Sequence, residues 1–190
     1  MPEIERRFLI DDRKAAIALG RAPRHISQSY VPGTGHWAIR LRTIAMDGVT
    51  TPLLTMKLPE TDMTADEHET VVTRKFHDGL LPRCGAAVEK TRSVAPASGD
   101  LTWEIDVFAA VELAVRRRDG RVETLMLAEI ELPSEDAAFD VPAWLGTEVT
   151  ADKRFSNFQL ARRIAMVRSL TAGGMTLHEA LYRNLLEEPE

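Results

Sequence analysis

Like charges recur two residues apart along this chain, in one short segment after another. Glu3 and Glu5, followed by Arg7, alternate with Ile4 and Phe8. Arg40 and Arg42 alternate with Ile39 and Leu41, Lys57 sits between Met56 and Leu58, and Glu67 and Glu69 make an acidic pair. Lys90 and Arg92 make a basic pair, Glu104 and Asp106 alternate with Trp103, Ile105 and Val107, and Glu129 and Glu131 with Ile130 and Leu132. In an extended chain, side chains at i and i+2 point to the same side. Each segment therefore presents one charged face and one apolar face, and a fold must decide where to put each.

Turn signals separate these segments. Asp47-Gly48 is a hairpin dipeptide, and residues 51–58 answer 36–42 across it. Strands are expected over 3–9, 25–31, 36–42, 51–58, 66–74, 87–93, 101–108 and 124–132. Residues 111–117 extend one arm of a further hairpin that turns at Asp119-Gly120. Helices are expected over 11–19, 156–170 and 176–186, the last opened by a Thr176/Glu179 capping box. Beyond Pro133 the pattern reads as helical, and residues 156–190 form a helical C-terminal segment of a single domain spanning 1–190. About eight strands make a sheet able to close on itself.

The charged faces of such a sheet look either outward to water or inward. Charged residues are seldom fully buried, which favours the outward arrangement for any one strand. Seven strands with doubled, sign-pure, arginine-rich pairs favour the inward one, because the helices then have an apolar surface to cover. Such an interior is costly unless its charges meet each other, metal ions or a ligand. It holds eight carboxylates (Glu3, Glu5, Glu67, Glu69, Glu104, Asp106, Glu129, Glu131) and six cations (Arg7, Arg40, Arg42, Lys57, Lys90, Arg92). Clustered Arg and Lys suit a multiply charged anion such as a phosphate chain. Carboxylates without His or Cys suit hard ions such as Mg2+ or Mn2+. Together they describe a phosphoryl-transfer site inside an α+β barrel.

The cations do not point to a nucleic acid or a membrane. With 24 basic and 29 acidic residues the formal net charge is −5, without the basic excess such surfaces need. No apolar run is long enough to cross a bilayer and the N-terminus has no signal-type apolar core, so a cytoplasmic protein is expected. One cysteine, Cys84, excludes an internal disulfide and a cysteine-rich zinc site. Leu177, Leu181 and Leu185 read first as a helix face packed on the barrel, with a homodimer contact as the second reading.

In order along the chain, Glu3-Ile4-Glu5-Arg6-Arg7-Phe8-Leu9, Gln28-Ser29-Tyr30, Arg40-Leu41-Arg42 and Thr55-Met56-Lys57 are followed by Glu67-His68-Glu69 and Lys90-Thr91-Arg92. Trp103-Glu104-Ile105-Asp106, Ala128-Glu129-Ile130-Glu131, Glu148-Val149-Thr150 and Arg154-Phe155-Ser156-Asn157 complete the series. This series resembles the CYTH family, the triphosphate tunnel metalloenzymes that include class IV adenylyl cyclases and thiamine triphosphatases. The opening is similar to the family's ExExK signature, and the spacing looks most like short bacterial members that hydrolyse inorganic triphosphate. The resemblance implies an eight-stranded antiparallel barrel enclosing a tunnel, with helices outside and a helical tail.

It also implies two Mg2+ or Mn2+ ions and a small-molecule triphosphate substrate attacked by water at its terminal phosphorus. Glu3, Glu5, Glu129 and Glu131 are the first-choice metal ligands, with Glu67, Glu69 and Asp106 second. Arg40, Arg42, Lys57, Lys90, Arg92 and Arg154 would grip phosphates, and Arg7, Tyr30 and Lys90 are the candidates closest to the chemistry. Tyr30 alternatively serves packing. Departures from the family are Arg7 in place of lysine, Phe155 where tyrosine is common, Ala65 where a basic residue is common, and a long 109–127 stretch. Cyclisation of a nucleotide, thiamine triphosphate hydrolysis, and non-catalytic polyphosphate binding are the alternatives.

Overall fold

The computed structural model describes residues 3–189. Eight strands form the main body: β1 (Glu3–Ile10), β2 (Arg21–Tyr30), β3 (Ala38–Met46), β4 (Val49–Pro59), β5 (Thr64–Val71), β6 (Val88–Pro96), β7 (Thr102–Phe108) and β10 (Met126–Glu131). They run antiparallel in the order β10-β7-β6-β2-β3-β4-β5-β1, and β1 pairs again with β10 to close the ring. A further strand, β11 (Leu145–Glu148), lies against β1.

Local chemistry sets this path. Between β3 and β4, Asp47 and Gly48 take φ of 51° and 77°, the left-handed pair that lets a two-residue turn follow the twist of its strands. Registers then bring charged residues opposite one another: Arg7 faces Glu129, Glu129 faces Glu104, Arg92 faces Asp106, and Lys57 faces Glu67. A one-residue slip would turn each set to the opposite side of the sheet. The charged faces look inward, as the doubled pairs required.

Apolar faces are covered in two places. Outside the β1/β10/β7/β6 wall, Phe8, Trp103, Ile105, Ala128 and Ile130 pack with Ala16 of α1 (Arg13–Leu19) and with Trp144 and Leu145. Trp103 meets Phe8, Phe139 and Trp144 edge-on at centroid distances of 5.7–5.8 Å. At one end of the lumen, Leu9, Val88, Phe108 and Leu127 meet Phe155, Leu160, Ala161 and Ile164, the last three from α3 (Asn157–Ala172). That end of the tunnel is stoppered by hydrocarbon. Among the described residues no helix is long and apolar enough to cross a membrane.

Several sequence expectations are corrected. The 66–74 strand ends at Val71, because Thr73 accepts a hydrogen bond from the Phe76 amide and caps α2 (Arg74–Leu80). Residues 111–117 are not one long arm. Val111–Leu113 is a 3-10 turn, followed by the three-residue strand β8 (Ala114–Arg116), and Leu113 and Val115 are buried. The 133–155 stretch is extended or irregular apart from β11 and a short turn at Lys153–Phe155. The capping box at Thr176 forms, but its helix α4 stops at Tyr182 (Leu177–Tyr182). Ala180 and Leu186 are its neighbourhood's buried residues, while Leu177 is exposed, so the expected leucine face is not the packed one. Leu186 belongs to β12 (Leu186–Glu187), which joins β8 and β9 (Val122–Thr124) in a small sheet.

Beside that sheet, the buried Arg117 guanidinium is ion-paired to Asp11 and lies 3.2 Å from Glu188 and 3.6 Å from Glu123. A Cβ at Gly146 would overlap the Asp11 carboxylate, so any side chain there must push that carboxylate off Arg117.

Candidate functional site

The lumen holds two linked charge networks. On β6, β7, β10 and β1, Lys90 Nζ lies 2.5 Å from Asp106 Oδ2, and neither side chain has exposed surface. Arg92 donates to both Asp106 oxygens at 2.6 Å and to Glu129 Oε2 at 2.5 Å. Arg7 donates to Glu129 Oε1 at 2.7 Å and pairs with Glu5. Arg92 also pairs with Glu104, which accepts from Arg24 at 3.2 Å. On β3, β4 and β5, Arg40 reaches Thr55 Oγ1 at 3.1 Å, Glu67 at 3.2 Å and Glu69 at 3.4 Å. Lys57 pairs with Glu3 and stands 3.4 Å from Glu67, joining this network to β1.

Burial and neighbours tune these groups in opposite directions. Burial, reinforced by the Arg92 charge, brings Lys90 down to about 8. Burial alone would raise Glu129, but Arg7, Lys90 and Arg92 together hold it well below the carboxylate range. Arg7 resists its own burial because Glu5 and Glu129 hold its proton, so its pKa rises further. Glu3 and Glu131 are pushed up first by burial; Lys57 then pulls Glu3 back more than Glu67 raises it, whereas Glu3, Glu104 and Glu5 raise Glu131 further. Glu131 marks the part of the lumen where negative charge is crowded.

Some polar atoms are left over. Glu67 Oε2, Gln28 Oε1, Arg24 Nε and Arg42 Nε are buried without a hydrogen-bond partner. Glu67 Oε2 does stand 3.4 Å from Lys57 Nζ, so charge partly compensates it although hydrogen-bond geometry does not. As they stand, no three His, Cys, Asp or Glu side chains among the described residues converge closely enough to hold an ion. The donors present nonetheless fit a hard cation. They are carboxylates only, and Glu131 has like charges around it, from Glu3, Glu104 and Glu5, that a divalent ion would relieve.

The tunnel brings together Arg7, Arg40, Arg42, Lys57, Lys90, Arg92, Glu3, Glu5, Glu67, Glu69, Asp106 and Glu129, and Glu131 joins them at an exposed rim. Tyr30 is buried among them, its ring edge-on to Phe158 at 5.2 Å. Arg154 is elsewhere: its exposed side chain donates to Asp152, two residues back, and lies over the Phe155 ring. Sequence reasoning passed over Arg24, Gln28 and Thr55. All three share the inward parity of residues it did select, and counting back by twos from Tyr30 and Lys57 reaches them. It also missed Asn157, whose Oδ1 is 3.3 Å from Lys90 Nζ, and no strand parity predicts a helix residue there.

No family model matches the chain. An inorganic triphosphatase of Nitrosomonas europaea is 36% identical over 171 residues, covering 86% of this chain and 99% of that protein. An inorganic triphosphatase of Acetivibrio thermocellus is 32% identical over 163 residues, covering 84% of this chain and 93% of that one. The crystal structure of an inorganic triphosphatase aligns with a TM-score of 0.56 at 33% identity, over 84% of this chain and 93% of the other. A Pyrococcus horikoshii protein at 16% identity and a TM-score of 0.53 shares the fold.

Proposed function

Because the chain belongs to the inorganic triphosphatase family, we propose that it hydrolyses inorganic triphosphate with the help of Mg2+ or Mn2+ inside the charged barrel. The observation that carries this reading is the cation set of buried Arg40, Lys90 and Arg92 with half-buried Arg42 and Lys57, on the inward face of one closed barrel. Five cations in one enclosure match the charge of a short phosphate chain, and their present carboxylate partners are what that chain would displace. Glu3 and Glu129, freed from Lys57 and Arg92 in this way, would be oxygen donors for a metal together with Glu5 and Glu131.

A divalent ion bound there supplies charge neutralisation of the phosphates and makes a nearby water more acidic. The chain's own residues do the rest by position. Arginines on β3 and β6 hold and orient phosphate oxygens, and the hydrocarbon stopper keeps bulk water from that end. Lys90 at about 8 can take or return a proton near neutral pH. Arg7 cannot, because its guanidinium keeps its proton, so its part is to hold Glu5 and Glu129 in place. Tyr30, raised by burial, stays protonated.

The test is phosphate release from inorganic triphosphate, ATP and thiamine triphosphate, each with Mg2+, Mn2+ or EDTA. Metal-dependent release greatest with inorganic triphosphate is expected. Tight triphosphate binding with no turnover in any metal would make the protein a polyphosphate binder, and a cyclic nucleotide with pyrophosphate from ATP would make it a cyclase.

A further inference from the structure

Two of the unpartnered buried atoms, Gln28 Oε1 and Arg42 Nε, belong to register partners on β2 and β3. Gln28 is 1% exposed, and its Nε2 stands 3.4 Å from the Tyr30 hydroxyl as a donor to it. This arrangement strands the hydroxyl's own proton. The other group against that oxygen is the Arg40 guanidinium, which has only hydrogens to give. Turning the carboxamide half a revolution exchanges its oxygen and nitrogen, and the hydrogen bonds it makes decide between the two orientations. Oε1 then accepts the Tyr30 proton, and the stranded donor and the stranded acceptor satisfy each other. What faces the lumen afterwards is the amide NH2, on the register partner of Arg42, whose own Nε–H is also buried without a hydrogen-bond acceptor.

The local field favours a neutral donor at this spot. Arg42 is pushed down first by burial and then by Arg40, with Arg92 adding to it, so a further cation would be repelled. An amide adds a hydrogen bond to an incoming anion without adding charge. We propose that Gln28 is a further substrate-binding residue, its Nε2 donating with Arg42 Nε to non-bridging oxygens of bound triphosphate while its Oε1 accepts from Tyr30. The inference rests on triphosphate being the ligand.

The chain has two glutamines, Gln28 and Gln159. Protein labelled with 15N at the glutamine side chains therefore gives two NH2 signals, and Gln159→Ala identifies the one from Gln28. Inorganic triphosphate is titrated in EDTA, so that binding is read apart from turnover. The Gln28 NH2 signal is expected to shift saturably, and calorimetry should find Gln28→Leu binding roughly ten- to a hundredfold weaker, the range for a lost hydrogen bond to a charged group. Gln28→Glu should bind more weakly still, because a carboxylate opposes the phosphate. An unmoved Gln28 signal at saturating triphosphate overturns the proposal, as does Gln28→Glu binding at least as tightly as Gln28→Leu. The amide shift uses a folded wild-type site, so it stands even if the leucine variant does not fold. A shifted Gln28 signal without phosphate release in Mg2+ supports the subsite and refutes the hydrolase reading; phosphate release with an unmoved signal does the reverse.

Discussion

Replacing Lys90 with methionine is expected to make the protein more stable at neutral pH while removing its turnover. The side chain has no exposed surface, and burial with the Arg92 charge lowers its pKa from 10.5 to about 8. A difference of about 2.5 units corresponds to about 3 kcal/mol of disfavoured charging in the folded state. Below pH 8 the lysine is protonated both folded and unfolded, and the folded chain carries that whole cost. Between about pH 8 and 10.5 the folded form has released the proton that the unfolded form still holds, so stability from this group rises with pH. A methionine carries no such cost at any pH. Asp106 is not orphaned by the change, because Arg92 still donates to both its oxygens at 2.6 Å. Urea unfolding of the two proteins at about pH 7 and about pH 10 measures the gap. A methionine variant stabilised by about 3 kcal/mol at the lower pH, with the gap shrinking towards the higher one, is the expected pattern. A variant less stable than wild type at pH 7, or a gap indifferent to pH, would refute the reasoning.

Glu129→Gln keeps shape but removes the charge shared by Arg7 and Arg92; phosphate-release assays should show turnover lower by on the order of a hundredfold. The same change should cost about 3 kcal/mol in chemical unfolding, and unaltered turnover would remove Glu129 from the site. Arg7→Lys should preserve or raise the rate while lowering stability by about 1 kcal/mol, because an ammonium cannot fork between Glu5 and Glu129. A large loss of rate would show that the guanidinium itself is needed. Gly146→Ala pushes a methyl into the Asp11 carboxylate that pairs with Arg117, and a melting temperature lower by several degrees is expected, from about 1–3 kcal/mol of overpacking. An unchanged melting temperature would mean that the pair is slack enough to move aside.

The barrel and its charged interior were legible because strand parity is a short-range code. Glu104 and Asp106, or Lys90 and Arg92, share a face wherever their strand lies, and the doubled signs revealed which face. The Asp47-Gly48 turn was equally local, since both residues sit in the left-handed region that the dipeptide tolerates. What parity cannot convey is who pairs with whom. Glu5, Arg7 and Glu129 read as two ligands and a catalytic candidate, yet they form one clamp across 122 residues of sequence separation. Arg154 came from the family resemblance and not from strand parity, and its exposed guanidinium is held by Asp152, two residues back. The strands at Leu145–Glu148 and Leu186–Glu187 were missed because four and two residues are too few to show an alternation. Thr73 ended β5 through a cap whose signal lay inside a stretch already read as strand.

The closing seam of the barrel has a consequence in time. β1 precedes the other barrel strands along the chain, but its main partner, β10, begins at Met126. Until then its other ring neighbour, β5, offers only the pairs Glu3↔Ala65 and Ile4↔Thr64. On the ribosome β1 therefore waits, with most of its backbone unpaired, until the residues up to β10 are made. Closing so long a loop is slow, and exposed edges during the delay invite association with other chains. The same alternating charges that later face the lumen make β1 a poor template for another strand while it waits. Residues placed for a phosphate in the finished protein thus guard the unfinished one.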